Sequence, residues 1–128
     1  MFQRASPAST RRSCQTLGAV GALPYFGLAR GFLTGKYRAG EIIDSPRAEG
    51  AAQYVGAKGD RVLRVLRTVA REQGVPTPAV ALRWLADQPT VVSPIASGRS
   101  VEQLAALLPV QDLVLTEEQR KLLTEASA

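Results

Sequence analysis

The stretch PYFGLARGFLTGKYR, residues 24–38, decides how the rest of the chain is read. It combines Pro24, small residues at Gly27, Ala29, Gly31 and Gly35, the aromatic pair Tyr25 and Phe26, and basic side chains at Arg30, Lys36 and Arg38. Glycines ahead of a lysine suggest a nucleotide loop, because bare backbone amides and an ammonium suit a phosphate. The spacing rejects a P-loop. That motif needs Gly, four residues, then Gly-Lys-Ser/Thr, whereas three residues separate Gly31 from Gly35, and Lys36 is followed by Tyr37.

Upstream lies LGAVGALPY, residues 17–25, a short apolar run closed by Pro24 that reads as a buried strand ending in a loop. Downstream, residues 37–59 are polar and carry Gly40, Pro46, Gly50, Gly56 and Gly59, the pattern of a long loop. From Asp60 the period turns helical. Val62, Leu66 and Val69 share a stripe widened by Val65, Arg61, Arg64, Arg67 and Arg71 take the wet side, and Gly74 stops the helix. Thr77 then caps a second helix with Pro78 in its first turn, which runs to Pro89. TVVSPI, residues 90–95, is a second β-branched run, followed by the loop ASGR and a helix whose Ser100 and Gln103 are spaced as a capping box. Thr116 and Gln119 repeat that spacing before the last helix. Strands alternating with helices imply parallel pairing and an α/β architecture.

In a parallel sheet the loops after both strands lie at one end, where α/β folds bind ligands. The segment Ser97-Gly98-Arg99-Ser100 joins a strand to a helix N-terminus, an arrangement that suits an anion. Composition narrows the alternatives. With 45% hydrophobic and 21% charged residues, the chain of 128 residues is large enough for one ordinary domain, and no apolar run approaches a membrane span. The lone Cys14 forbids an internal disulfide, and histidine, the commonest metal ligand and general base, is absent. A cytoplasmic setting follows as the default. The net charge of +5 is an N-terminal property. Residues 1–40 hold six cations and no acid, while the remainder holds 10 bases against 11 acids, so no basic face for nucleic acid is expected in the body of the chain. Residues 1–16, rich in Ser and Arg, read as a disordered tail, although their composition is also that of an organellar transit peptide.

PYFGLARGFLTGKYR resembles the segment after the seventh barrel strand of aldo/keto reductases, and PIASGRSVEQL resembles the segment after their eighth. TPAVALRWLADQP is similar to the helix between them, and DLVLTEEQRKLLTEAS to the family's C-terminal helix. The resemblance spans about residues 17–128. It implies the C-terminal part of a (β/α)8 TIM barrel, an incomplete barrel of two strands, in a family that reduces carbonyls with NADPH. The resemblance further implies that Tyr25 stacks on the nicotinamide, that Phe26, Leu28 and Ala29 follow the pyrophosphate, and that Lys36 lies near those phosphates. It makes Arg47 a loop cation folding over NADP, and it gives Ser97, Arg99 and Gln103 the 2′-phosphate and adenosine end.

The chain departs from the family in three places. Ala106-Leu107 replaces a usual Glu-Asn pair, and Arg30 stands where a small residue is common. The family's catalytic tyrosine, lysine, aspartate and histidine have no counterpart, since Tyr25, Tyr37 and Tyr54 fall at other positions. The expectation is therefore an NADP-binding surface without reductase turnover, or a non-catalytic module that completes a separately encoded N-terminal barrel part or self-associates.

Overall fold

The computed structural model describes residues 21–35 and 48–128. The expected tail 1–16, Cys14, the start of the first apolar run, Lys36 and Arg47 lie outside the described residues. After a 3-10 segment, Ala29–Thr34, come α1 (Ala48–Ala52), α2 (Ala57–Gln73), α3 (Thr77–Ala86) and α4 (Val101–Ala105). A second 3-10 turn, Leu108–Gln111, leads to α5 (Glu117–Ser127).

The amphipathic stripe makes α2 the backbone of the core. Leu63, Leu66, Val69 and Ala70 are buried, Val62 and Val65 flank them, and the four arginines are exposed. Its end is set by Gly74 at φ 65°, whose N–H returns to the carbonyls of Ala70 and Arg71. The helix starts three residues before the expected Asp60 and takes in Gly59. That glycine belongs to packing, not to a loop: a Cβ there would stand 2.0 Å from the Tyr54 carbonyl oxygen and 2.7 Å from Phe32 Cζ. The expected loop 37–59 is likewise interrupted by α1, whose Ala51 is fully buried.

Helix α3 begins at Thr77 itself, with Pro76 as the preceding cap residue, so Thr77 does not cap it. Pro78 to Leu82 are all buried, which places this first half of α3 at the centre. Asp87 closes the helix, taking a hydrogen bond from Arg83 ahead of Pro89. Helix α5 realises the expected capping box in full: Gln119 N donates to Thr116 Oγ1 at 3.2 Å and Thr116 N donates to Gln119 Oε1 at 3.1 Å. Gln119 is 8% exposed, and its amide also donates to Glu72 and accepts from Gln73, which locks α5 to the end of α2. Leu113 and Leu115 on the connector and Leu123 on α5 complete one core with Phe32, Val80 and α2.

Within the described residues the two apolar runs meet in parallel, at a bridge rather than as strands. Among the described residues their pairing is one bridge, Ala22 to Val91. Ala22 N donates to Thr90 O at 2.7 Å, Val92 N to Ala22 O at 2.9 Å and Ile95 N to Pro24 O at 3.0 Å. Pro24 and Pro94 carry no N–H, so each removes a ladder donor just past the bridge, and a lone pair of strands is marginal without further neighbours. The expected α/β barrel segment thus appears as a mainly helical body with a parallel contact at its edge.

Candidate functional site

A cleft of about 580 Å³ opens where the segments after the two paired runs face the N-terminus of α3. Parallel pairing at Ala22 and Val91 sends both segments out of the same end, which is why residues so distant in sequence share it. Tyr25, Phe26, Leu28, Ser97, Arg99 and Gln103 all line this cleft. Ala29 does not; it packs beside the core instead.

The first wall is shaped by a left-handed turn. Ala29, Arg30 and Gly31 have φ of 48°, 58° and 94°, and Gly35 closes the segment at φ 80°. Arg67 of α2 donates to the Gly35 carbonyl at 3.2 Å and ties the end of this wall to the core. Tyr25 is 69% exposed and meets Phe26 edge to face, ring centroids 4.6 Å apart. The Arg30 guanidinium covers Phe26, 4.7 Å from its ring centroid.

The second wall is built on α4. Ser100 Oγ accepts from Gln103 N at 3.3 Å, the expected half of a capping box. The Gln103 side chain does not return to Ser100; its Oε1 accepts from Arg99 N at 2.8 Å, so the box closes one residue early and holds the Arg99 backbone. Gly98 serves this wall rather than a ligand's approach: a Cβ there would stand 2.8 Å from Leu104 N. Glu102 points to solvent, and hydrogen bonds from Ser100 and from its own backbone hold its carboxyl below the ordinary range.

Sequence reasoning left several lining residues aside. Thr34, Pro76, Thr77 and Pro78 enter the cleft through the packing of α3 against the first wall, which no local motif announces. Arg30 was visible as an anomaly but not as a site residue. Ala106 and Leu107, which stand in place of the family's Glu-Asn pair, line the cleft and make that part of it apolar. Among the described residues, the two ionised side chains of the lining, Arg30 and Arg99, are both cationic, and no carboxylate lines the cleft. No group of three or more potential metal-ligating side chains occurs among the described residues, and no helix there is long and apolar enough to cross a membrane.

Comparison with known proteins agrees with the motifs. No curated protein matches the chain significantly. The sequence profile of the aldo/keto reductase family matches residues 1–128. Members of this family are oxidoreductases that generally bind NADP(H). A match over the full given length, together with the two family-like segments facing each other across one cleft, makes this chain a member of the aldo/keto reductase family.

Proposed function

We propose that the cleft binds NADP(H) and that this chain by itself carries out no carbonyl reduction. The observation that carries the first half is the convergence of Tyr25, Phe26, Leu28, Ser97, Arg99 and Gln103 on one cleft from two segments about seventy residues apart. The lining suits such a group. An exposed tyrosine ring offers a flat surface, two guanidiniums with no carboxylate among the described lining favour phosphates, and the volume falls in the usual range of ligand sites. In this reading Tyr25 stacks on the nicotinamide, Phe26 and Leu28 run along the diphosphate, and Ser97, Arg99 and Gln103 hold the 2′-phosphate end, while Ala29, packed beside the core, supports this wall from behind. Lys36 and Arg47, outside the described residues, would add cations. The bound group supplies a hydride.

What the chain lacks is an acid to accompany that hydride. It has no histidine, and among the described residues no lysine or aspartate lines the cleft beside Tyr25 to form an acid–base pair with it. Tyr54 packs on Phe32, ring centroids 5.9 Å apart, and is not part of the lining. Titration of the purified protein with NADPH, followed by cofactor fluorescence, tests binding. Absorbance of NADPH with an added aldehyde tests turnover, and steady oxidation above the protein-free rate would overturn the second half of the proposal.

A second reading rests on the parallel bridge. Leu23 and Val92 are 58% and 72% exposed around it, and Ile95 is 44% exposed. Exposed apolar side chains beside this bridge favour a role in which this chain completes a barrel supplied by another polypeptide or by a second copy. Size-exclusion chromatography with light scattering separates these from a monomer.

A further inference from the structure

We propose that the cleft holds the base of its dinucleotide by shape alone and does not tell one purine from another; this rests on the NADP(H) reading of the same cleft. Helix α4 sets the limit. Gln103, Ala106 and Leu107 follow at helical spacing and all line the cleft, so a ligand end that reaches Gln103 lies against the two apolar residues one turn further on. Leu107 leads into the 3-10 turn Leu108–Gln111, which packs against α3, and Pro76, Thr77 and Pro78 at the start of α3 belong to the same lining. Apart from Gln103 and Thr77, the side chains that meet here are apolar.

Purines differ at their edges. Adenine presents an amino donor beside a ring-nitrogen acceptor, where hypoxanthine presents a carbonyl acceptor beside an N–H donor. A site rejects the wrong one strongly only if a polar group of fixed sense is left unpaired by it. The backbone groups of this end are already engaged: Ala106 N donates to Glu102 O at 3.0 Å, Leu107 N to Leu104 O at 2.9 Å, Val110 N to Leu107 O at 3.1 Å and Ala79 N to Pro76 O at 3.0 Å. Pro76 and Pro78 carry no N–H. Gln103 Oε1 accepts from Arg99 N at 2.8 Å, which leaves the side-chain NH2 as a donor, and both purines offer that donor an acceptor. The Thr77 hydroxyl turns to donate or to accept, so it serves either base. Binding strength then comes from the Arg99 cation and from the ring face against Ala106, Leu107 and the prolines, and these contributions are the same for both bases.

The test titrates the full chain, by cofactor fluorescence, with NADPH and with its analogue in which hypoxanthine replaces adenine. The two dissociation constants should agree within about threefold. Ala106→Glu, at a half-buried position one turn from Gln103, adds an acceptor of fixed sense. This variant should prefer NADPH by about tenfold, the size of one charge-assisted bond made to the amino group and lost to the carbonyl, while any repulsion of the phosphates falls on both ligands alike. A parent chain that binds NADPH at least about tenfold more tightly than the analogue overturns the proposal and leaves the NADP(H) reading standing. A folded Ala106→Glu chain that binds the two alike also overturns it, because the base then lies elsewhere. If the variant melts early, the comparison in the parent chain decides alone. A parent chain that binds neither ligand overturns both the proposal and the NADP(H) reading.

Discussion

The helical body and the cleft walls are held by different amounts of structure. In the body, α2, α3 and α5 share one apolar core, α5 starts with a two-way capping box, and the Gln119 amide joins Glu72 and Gln73 across the helix ends. The two walls are joined to each other by three backbone hydrogen bonds at the Ala22–Val91 bridge, the first is tied to α2 through Arg67 and Phe32, and Leu23, Tyr25, Phe26, Val92 and Ile95 are exposed. The contrast teaches that this chain spends its folding free energy away from the surface with which it would act. The walls are the region where a ligand or a partner has most left to stabilise.

Three substitutions can break that comparison. The largest effect belongs to the core: Leu66 is 3% exposed at the centre of the α2 stripe, so Leu66→Ala should cost about 2–5 kcal/mol in urea unfolding. Val92→Ala, at the edge of the bridge, should stay within about 0.5 kcal/mol. Equal costs would mean that the walls share the core after all. Next comes Gly59→Ala, where the added methyl meets the Tyr54 carbonyl and Phe32; overpacking of this kind costs about 1–3 kcal/mol, read as a lowered melting temperature. A neutral result would show that the link between α2 and the first wall is slack.

The smallest effects concern the two caps. Thr116→Ala breaks a complete box and should cost about 1 kcal/mol. At α4 the relevant group is Glu102, whose folded pKa lies below its ordinary value of 4.5 because of Ser100 and its own N–H. A lowered acid pKa means that the ionised form is favoured in the folded state. Its contribution is present above the unfolded value and is lost as pH falls through the folded one. Melting temperature followed from neutral pH down through the acid range should therefore fall slightly less in Glu102→Gln than in the parent chain. An identical profile would remove Glu102 from the electrostatics of the second wall.

Much of the helical body was legible in the sequence because its signals are local. The α2 stripe repeats at helical period, Gly74 ends it through a conformation only glycine adopts cheaply, and Thr116 and Gln119 are three residues apart. The misreadings share one cause. Gly59 looked like loop punctuation because the sequence shows the missing side chain but not the Phe32 ring that needs the space. Thr77 looked like a cap, yet it is the first residue of the helix, lines the cleft and follows Pro76 in the cap position. The two apolar runs looked like full strands, but their pairing among the described residues is a single bridge, because strand length depends on neighbours and on where proline removes a donor.

By itself the sequence determined which residue types could be brought together: a tyrosine and small residues in one segment, serine, arginine and glutamine in another, and no histidine anywhere. It also determined family membership, because the motifs are linear patterns. Only the tertiary structure decided that the two segments face each other across one cleft, that Ala29 stays out of it, and that Arg30 belongs to it by lying over Phe26. The reason is physical. Period, cap spacing and glycine placement act within a turn or two of chain, whereas a cleft exists only once a parallel contact brings residues seventy positions apart to the same end of the fold.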